Sequence, residues 1–312
     1  MKKSNIERGP AMKVLCFGSL NIDYTYTVPH FVSRGETLAA QKLRLFAGGK
    51  GLNQSIALAR AGLDVALAGA IGEDGRFLLD ELRAVGVDTR HIAVLPGVRT
   101  GHAIIQNDAA GDNCILVYGG ANHCTDRAQI DRVLASFGSG DLLTLQNEIQ
   151  ELDYLMRAAK ARGLTIALTP APMTGKVKTL PLGLVDYLFL NEHEAGALLD
   201  CDATRAPLEA AQALCTRCGV KNAVLTLGPD GAVFAGEKGC FTQAALPGDA
   251  LDTTGAGDTF CGFFLGGVFS GLDVPAALRL ASAAAAIAIT RPGASAAIPT
   301  RREAEAYLRE LG

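Results

Sequence analysis

The sequence contains no tryptophan, and its aromatic residues make up only 6% of 312 residues. A chain so poor in aromatic rings offers few platforms on which nucleobases could stack. It also has no basic block, and 29 Lys and Arg against 32 Asp and Glu give a net charge of −3. Because a surface that tracks a phosphate backbone needs concentrated positive charge, we predict no nucleic-acid partner.

Long apolar runs are missing as well. The longest stretch without a charged residue, Thr259 to Leu272, has fourteen residues, whereas a helix that spans a bilayer needs about 20. Residues 1–12 are polar and contain no apolar segment, which does not fit a signal peptide. We therefore predict no membrane segment, and a disordered or tag-like tail at residues 1–12.

Eight cysteines are scattered along the chain, and only Cys215 and Cys218 lie close together in sequence. Without a second CxxC or an HxxxH pattern this pair does not complete a zinc site, so it is expected to pack within a helix. Scattered thiols in apolar runs are typical of buried cysteines in a reducing compartment rather than of a disulfide framework. The sequence thus predicts a cytoplasmic protein.

Apolar residues form 49% of the chain and charged residues 20%, as in globular proteins. Short apolar runs alternate with helical patterns, which predicts a mainly parallel central sheet with helices on both faces, an α/β fold. The predicted strands are Val14–Phe17, Val65–Ala68, Leu142–Leu145, Thr165–Leu168, Tyr187–Leu190 and Ala223–Leu227. The predicted helices are Lys50–Ala61, Gly75–Ala84, Leu152–Ala161, Leu208–Cys218 and Pro275–Ile289.

Two segments, at about residues 22–46 and 100–120, break this alternation. Each reads as strands joined by polar turns, without the crossover helix that a parallel sheet requires. We predict that they form a small β lid over the carboxyl ends of the main sheet, where open α/β folds bind ligands. The lid is then inserted in one domain that covers residues 13–312.

The segment Asp252-Thr-Thr-Gly-Ala-Gly-Asp258 precedes an apolar run of helical length. Residues 255–257 have almost no side chain, so their N–H groups can point into one cavity at a helix N-terminus, where the dipole favours an anion. This predicts a phosphate cradle, with Asp258 as a helix cap or as a group that acts on the bound ligand. A glycine turn capped by aspartate explains the same residues without any ligand.

A second glycine cluster begins at Gly48 and includes Lys50 and Asn53. It is not a Walker motif, since Gly51 follows the lysine, and it is not a dinucleotide fingerprint, since Gln54 replaces the third glycine. Lys50 and Asn53 offer donors to a polar ligand on the first turn of a helix. A purely structural turn is the alternative.

Two further polar groups follow predicted strands. Asn191 and Glu194 have the spacing of a capping box, and the same spacing places an amide and a carboxylate where they could hold the water shell of Mg²⁺. Asn21 and Asp23 alternate onto one face of an extended segment, which suits hydrogen bonds to vicinal hydroxyls. A plain strand start explains the second pair equally well.

Taken in order, these motifs resemble the PfkB family of carbohydrate kinases, and within it the ribokinase group. Its two signatures match Gly48–Gly62 and Asp252–Phe260, and the resemblance extends from Met12 to Leu311. It implies a ribokinase-like fold whose β lid also forms a homodimer contact, with ATP, Mg²⁺ and K⁺ as cofactors. The implied reaction is ATP-dependent phosphorylation of the primary hydroxyl of a small sugar, D-ribose in the first place.

The resemblance also implies roles for individual residues. Asp258 is the base that takes the hydroxyl proton, and the amides of Gly255, Ala256 and Gly257 form the anion hole. The sugar-binding positions are Asn21, Asp23, Gly49, Lys50, Asn53 and Glu148. The nucleotide positions are Asn191, Thr226, Gly228 and Gly257, and Glu194 holds Mg²⁺ through water. The K⁺ positions are Asp252, Thr254, Arg291 and Ser295.

Two points qualify this assignment. A helix N-terminus is expected to lower the pKa of Asp258, although a general base works best near ambient pH, so proton transfer should come late in the reaction. The sequence also departs from the ribokinase pattern at Thr169 and Ser282, and neither residue is expected to touch the sugar pocket.

Other functions keep the same scaffold. The acceptor could be fructose, 2-keto-3-deoxygluconate, deoxyribose or a nucleoside, or the protein could bind a sugar without catalysis, because fold does not fix function. Asn21, Asp23 and Glu148 favour a small polyhydroxylated sugar, since a nucleoside base would need aromatic walls. The intact Gly-Ala-Gly-Asp258 sequence favours an active kinase.

Overall fold

The computed structural model describes residues 12–110 and 112–312 of the chain. The strands of this part, in chain order, are β1 (Lys13–Phe17), β2 (Asn21–Thr27), β3 (Lys42–Gly48), β4 (Asp64–Gly72), β5 (Asp88–Leu95), β6 (Gly101–Asn107), β7 (Asn113–Tyr118), β8 (Leu142–Gln146), β9 (Thr165–Thr169), β10 (Tyr187–Asn191), β11 (Asn222–Thr226), β12 (Ala232–Gly236) and β13 (Gly239–Gln243).

The helices of the described residues alternate with most of these strands. They are α1 (Lys50–Arg60), α2 (Phe77–Ala84), α3 (Arg127–Leu134), α4 (Leu152–Ala161), α5 (Glu192–Leu199), α6 (Pro207–Cys218), α7 (Ala256–Phe269), α8 (Val274–Ala288) and α9 (Arg301–Glu310). Short 3₁₀ turns join several of them, and one of these, Glu73–Gly75, occupies the start of the predicted helix Gly75–Ala84.

The larger sheet has nine strands in the spatial order β13-β12-β11-β10-β9-β8-β1-β4-β5. β1 pairs in parallel with β8 on one side and with β4 on the other, whereas β12 and β13 run antiparallel at one edge. Val14 and Cys16 of β1 belong to one hydrophobic cluster, and Leu15 and Phe17 belong to the other. Helices therefore cover both faces, as the uninterrupted apolar strands predict.

The smaller sheet has four strands in the order β3-β2-β6-β7. Its first two strands fall on the first segment predicted to leave the parallel sheet, and its last two fall on the second segment. β2 pairs antiparallel with β3 and parallel with β6. β2 and β6 are neighbours in the lid although β4 and β5 of the large sheet lie between them in sequence. The carboxyl end of β3 leads directly into α1, which ties the lid to the main domain.

Close packing of small residues brings α1 and α7 together. A Cβ atom at Gly262 would overlap the methyl group of Ala57, and one at Gly266 would overlap that of Ala61. On its other side α7 packs on the alanine-rich α8, where Gly267 faces Ala277. The N-terminal ends of α1 and α7 therefore lie side by side.

The expectation of buried cysteines is wrong for most of the eight. Cys16 and Cys261 are buried, Cys215 and Cys218 are partly exposed, and the other four are exposed, namely Cys114, Cys124, Cys201 and Cys240. The exposed thiols lie on the lid, on the edge strand β13 and in surface turns, where an apolar neighbourhood in sequence does not guarantee burial. All eight are free thiols.

Of the predicted N-terminal tail, Met12 packs against the core, and residues 1–11 lie outside the described residues. Across the described ranges, no helix combines the length and the apolar character that crossing a membrane requires.

The contact between α1 and α7 leads to a stability prediction. We expect Gly262→Ala to lower the free energy of unfolding by about 1–3 kcal/mol, because the added methyl group overfills a tight interface. Gly138→Ala is the matched control, since a Cβ at Gly138 meets no atom within 4 Å, and it should change stability by less than about 0.5 kcal/mol. Urea unfolding measures both, and equal effects would contradict close packing of the two helices.

Candidate active site

A cleft of about 190 Å³ lies at the carboxyl ends of the parallel strands. It is bounded by the ends of β9, β10 and β11 on one side and by the first turns of α1 and α7 on the other. Its lining residues are Lys50, Thr169, Ala171, Phe189, Leu190, Asn191, Glu194, Thr226, Gly255, Gly257 and Asp258. The cleft therefore brings together predicted positions that lie more than two hundred residues apart in sequence.

Asp258 lies in the first turn of α7, which starts after Gly255 in a left-handed conformation with φ of 76°. Its side chain does not cap the helix, so the capping interpretation is wrong. The Oδ2 atom instead accepts a hydrogen bond of 3.1 Å from the Asn53 side-chain amide, and Oδ1 accepts one of 3.0 Å from the Gln54 amide. Two consecutive residues of α1 thus hold both carboxylate oxygens.

The Gln54 amide is itself held in place from the main sheet. Its Oε1 accepts a hydrogen bond of 2.6 Å from Nε2 of Gln146, and its Nε2 also lies 3.2 Å from Oγ1 of Thr169. Gln146 is fully buried at the end of β8. Thr169, one of the two departures from the ribokinase pattern, lines the cleft and contacts a partner of Asp258.

The pKa of Asp258 is raised, contrary to the expectation for a carboxylate at a helix N-terminus. Burial is the largest cause of the rise, and the Glu148 carboxylate adds to it. The Lys50 ammonium and the hydrogen bonds from Asn53 and Gln54 act in the opposite direction without cancelling it. The expectation failed because it considered the helix dipole and left out the loss of solvent around this side chain.

Lys50 is the first residue of α1 and is surrounded by acidic groups. Burial lowers its pKa, but the carboxylates of Asp258, Glu148, Glu194 and Asp23 more than reverse that effect, so the pKa lies above its ordinary value. The lysine therefore stays charged in the cleft.

The three backbone amides predicted to form an anion hole are not equivalent. The Ala256 N–H donates to the carbonyl of Thr253 at 3.2 Å within a turn. In the part of the chain that the structure describes, the N–H groups of Gly255 and Gly257 have no acceptor. Both glycines line the cleft, so the N-terminus of α7 retains free donors and the positive end of its dipole.

The predicted sugar-binding residues gather beside this helix pair. Asn21 and Asp23 are on β2 and share a strand face, and the Asp23 carboxylate packs against the backbone of Gly48. Glu148 follows β8 and accepts hydrogen bonds from the Ser19 hydroxyl and, at 3.3 Å, from the Lys50 amide. Gly49 precedes α1 with φ of 93°, and a Cβ there would press on the backbone of the loop before β2.

Asn53 carries an unpaired acceptor. Its Nδ2 donates to Asp258, and its Oδ1 is buried without a hydrogen-bond partner among the described residues. A buried polar atom without a partner costs about 1–3 kcal/mol, and such atoms are rare in folded proteins. A ligand donor, as the sugar-binding role predicted for Asn53 implies, would give this atom its missing partner.

On the opposite side of the cleft, Asn191 and Glu194 form a capping box at the start of α5. The Glu194 amide donates to Asn191 Oδ1 at 2.8 Å, and the Asn191 amide donates to Glu194 Oε2 at 2.9 Å. The structural interpretation of this pair is thus confirmed, yet both side chains also line the cleft. Oε1 of Glu194 has no partner in the described chain, so it is available to bind a water molecule.

Thr226 ends β11 and lines the cleft, and Gly228 follows it in a 3₁₀ turn with φ of 54°. Gly228 is not part of the cleft lining. Its conformation, which favours glycine, turns the chain back into the antiparallel strand β12.

The residues predicted to hold K⁺ converge only in part. Asp252 accepts N–H groups from Thr254 at 2.9 Å and from Gly293 at 2.8 Å, which joins its loop to the loop of residues 291–295. The Arg291 guanidinium, however, pairs with Glu303 at 2.8 Å. The Ser295 hydroxyl donates to the Ala47 carbonyl at 2.9 Å, and the Ser295 carbonyl lies 3.4 Å from the Arg60 guanidinium. Asp252 fits a cation ligand, whereas Ser295 fits one poorly.

The sequence analysis missed the amides that support the site. No individual role was predicted for Gln54, Gln146, Ser19 or Asn122, although Asn122 hydrogen-bonds to Asn21. Gln54 could have been recognised as the polar neighbour of Asn53 near the start of α1. The other three depend on contacts between distant segments, for which one sequence contains no signal.

Asp23 gives a pH-dependent prediction. Burial and then Glu148 raise its pKa to about 6, against the opposing effect of Lys50. Between about pH 4 and 6 the folded chain therefore binds a proton that the unfolded chain does not, so this residue lowers stability as the pH rises through that window. We expect Asp23→Asn to be more stable than wild type at pH 7 by about 1–3 kcal/mol, with the difference vanishing near pH 4.

Urea unfolding at both pH values measures this difference. Asp249→Asn is the control for the loss of a carboxylate, because Asp249 is exposed in a loop and its substitution should change stability by less than about 0.5 kcal/mol. A difference for Asp23→Asn that does not change with pH would contradict the electrostatic cause.

Comparison with known proteins identifies the family. Residues 11–301 match the model of the pfkB family of carbohydrate kinases. A ribokinase from Haemophilus influenzae is 34% identical over 300 residues, which are 93% of this chain and 96% of that protein.

Solved structures agree with this match. Arabidopsis thaliana ribokinase, complexed with ribose and ATP, has a TM-score of 0.85 at 28% identity and covers 96% of this chain and 99% of its own. Ribokinase from Cryptococcus neoformans, in complex with ADP, has a TM-score of 0.83 at 31% identity, over 95% of this chain and 99% of its own. The chain therefore has the ribokinase-like α/β fold and belongs to the PfkB family of carbohydrate kinases.

Proposed function

We propose that the protein transfers the terminal phosphoryl group of ATP to the primary hydroxyl of D-ribose, giving D-ribose 5-phosphate. The main support is the buried carboxylate of Asp258, held by two amides at the free N-terminus of α7. This carboxylate lies between a cleft that suits a nucleotide and a group of polar side chains that suits a sugar. Relatives named ribokinase support the acceptor.

In the proposed reaction the sugar oxygen attacks the γ-phosphorus, and the bond from that phosphorus to the bridging oxygen of ADP breaks. Asp258 accepts the hydroxyl proton, and its raised pKa makes it a stronger base than an exposed aspartate. The free amides of Gly255 and Gly257 stabilise the negative charge on the transferred group. Positioning and charge neutralisation are the main requirements of the loose transition state of phosphoryl transfer.

Magnesium would be held by the nucleotide phosphates and, through water, by Glu194, whose free carboxylate oxygen supports this role. When bound, it neutralises phosphate charge. Among the described residues no cluster of three or more His, Cys, Asp or Glu side chains could hold a metal. That fits a cation bound chiefly by substrate oxygens.

Potassium would lie between Asp252 and the loop of residues 291–295. The Asp252 carboxylate and the backbone carbonyls of Thr254 and Arg291 would be its ligands. Ser295 is left out of this proposal, because its carbonyl already lies beside the Arg60 guanidinium.

The eight free thiols further support a reducing compartment, which for this protein we take to be the cytoplasm.

Deoxyribose is the second candidate acceptor, because a deoxyribokinase of Salmonella typhi is 28% identical over 95% of this chain. The two sugars differ by one hydroxyl. A pocket that hydrogen-bonds this hydroxyl rejects the analogue without it, since buried partners are then left unpaired.

The proposed function predicts both a substrate order and the effect of one substitution. ADP release, measured with ribose, deoxyribose, fructose, 2-keto-3-deoxygluconate and inosine, with and without K⁺, should be fastest with ribose. Asp258→Asn should lower kcat by about 10³-fold or more, while ribose binding, measured by calorimetry, changes little.

The controls separate the possible failures. A faster acceptor than ribose would overturn the substrate and leave the kinase reaction in place. Unchanged ATP turnover in Asp258→Asn, or no sugar-dependent ADP release in wild type, would overturn the reaction itself. A thermal melt of the variant excludes loss of the fold as the reason for lost activity.

We also propose that the protein forms a homodimer through the lid. Residues aligned across the four lid strands, Leu45, Tyr24, Ile104 and Leu116, form an apolar row. Because side chains alternate along a strand, this row lies on the face opposite to Asp23. Leu45 and Leu116 are 53% and 68% exposed. An exposed apolar patch of this kind is typical of a protein–protein interface, and a two-fold axis buries it against its own copy.

Sedimentation velocity tests the dimer. We expect a dimer for wild type and a monomer for Leu116→Glu, which places a charge within the proposed interface. Leu251→Glu is the matched control, since Leu251 is 69% exposed and lies outside the lid. A monomeric wild type at micromolar concentration, or a dimeric Leu116→Glu variant, would show that the lid is not the interface.

A further inference from the structure

Two buried asparagines, Asn21 and Asn122, join the start of the lid strand β2 to the turn that follows the lid strand β7. Asn122 is in the 3₁₀ turn Gly120–Cys124 after β7 and is 3% exposed. Its Oδ1 accepts the backbone N–H of Leu20 at 2.9 Å, and its Nδ2 donates to Oδ1 of Asn21 at 2.8 Å. The turn is pinned to the main domain, since the Ala121 amide donates to the carbonyl of Arg99 at 2.9 Å.

The chemistry of these contacts determines the orientation of both side-chain amides. A backbone N–H only donates, so the Asn122 atom that faces Leu20 is the oxygen. The other Asn122 atom is then the nitrogen, which only donates, so the Asn21 atom that faces it is also an oxygen. The remaining atom of Asn21 is its nitrogen, with two N–H donors and no acceptor among the described residues.

Gly101 shows that the fold makes room for this pair. It opens β6 and lies directly opposite Asn21 in the lid sheet. A Cβ at this position would overlap Nδ2 of Asn122 and Oδ1 of Asn21. The pair therefore occupies space that any other residue at position 101 would fill.

We propose that Asn122 is a positioning residue that holds Asn21 with its amide nitrogen turned toward the sugar site. This inference rests on the proposed function, because it takes Asn21 as a sugar contact. Asn21 shares a strand face with Asp23, which lies within electrostatic reach of Lys50 and Glu148. The sugar then meets a donor at Asn21, whereas Asp23 and Glu148 are acceptors.

Two substitutions of Asn122 separate positioning from plain structural support. Asn122→Asp has nearly the same shape and still accepts the Leu20 N–H, but its second oxygen cannot donate. Asn21 must then turn its own nitrogen to that oxygen and present an acceptor to the sugar. Asn122→Ala removes both bonds and leaves Asn21 free to take either orientation.

We expect Asn122→Asp to raise the dissociation constant and the KM for the sugar by about tenfold to a hundredfold. Its kcat should fall by less than about threefold, because Asp258 and its partners are untouched. Asn122→Ala should weaken sugar binding less than Asn122→Asp does, although it should lower the melting temperature more. Cys124→Ser, an exposed position in the same turn, should change none of these values.

The test depends on which of the two Asn122 variants loses more affinity for the sugar. A purely structural role predicts that the alanine variant is the more damaged in both binding and stability, and that result would overturn the proposal. Hydrogen exchange of side-chain amides in wild type, followed by NMR, needs no variant and no sugar. Slow exchange of the Asn122 nitrogen with fast exchange of the Asn21 nitrogen supports the proposed orientation, and the reverse overturns it.

These experiments also distinguish a failure of this proposal from a failure of the proposed function. If wild type binds none of the sugars in the panel, the proposed function fails with it. The exchange experiment still decides how the asparagine pair is oriented, so the two failures are distinguishable.

Discussion

The contact between the Asp258 carboxylate and the two amides of α1 is the interaction on which the rest of the site depends. Asn53 and Gln54 reach the carboxylate at 3.1 and 3.0 Å, near the upper end of the usual range of about 2.7–3.2 Å for N–H···O hydrogen bonds. They are possible because α1 and α7 approach closely where Gly262 meets Ala57. The hydrogen bonds to Asp258 therefore depend on how closely the two helices pack. A methyl group added between the helices would also disturb these hydrogen bonds.

Charge is distributed unevenly about this contact. Four carboxylates raise the pKa of Lys50, and burial, with the Glu148 carboxylate second, raises the pKa of Asp23 to about 6. A region so acidic repels phosphate, yet it suits a neutral ligand rich in hydroxyl groups. The positive end of α7, with the free amides of Gly255 and Gly257, faces the cleft instead. With the sugar and the nucleotide bound as we propose, the two ligands would meet opposite fields on the two sides of Asp258. Like charges held together in this way lower the stability of the free protein.

The sequence predicted the parts of the structure that depend on local pattern. Apolar runs located six strands of the large sheet, and glycine clusters located the N-termini of α1 and α7. The environment of Asp258 was not predictable in this way, because its partners lie 204 and 205 residues away. The direction of the pKa shift of Asp258 was mispredicted for the same reason. The helix dipole is a local property of α7, whereas burial depends on the whole fold. Gln146 and Asn122 act through contacts of that long-range kind, so one sequence contains no signal for them.

The orientation of amide groups connects these long-range contacts to ligand choice. An ionised carboxylate only accepts, so Asn53 must give its nitrogen to Asp258, and its oxygen is left unpaired. Asn122 fixes Asn21 in the opposite orientation. The oxygen of Asn21 accepts a hydrogen bond from Asn122, and its nitrogen is left unpaired. The proposed sugar pocket would therefore offer one amide acceptor and one amide donor, each fixed by a buried partner. A hydroxyl group both donates and accepts, so a ligand with several hydroxyls satisfies both amides, whereas a ligand that offers only carbonyl oxygens leaves the oxygen of Asn53 unpaired.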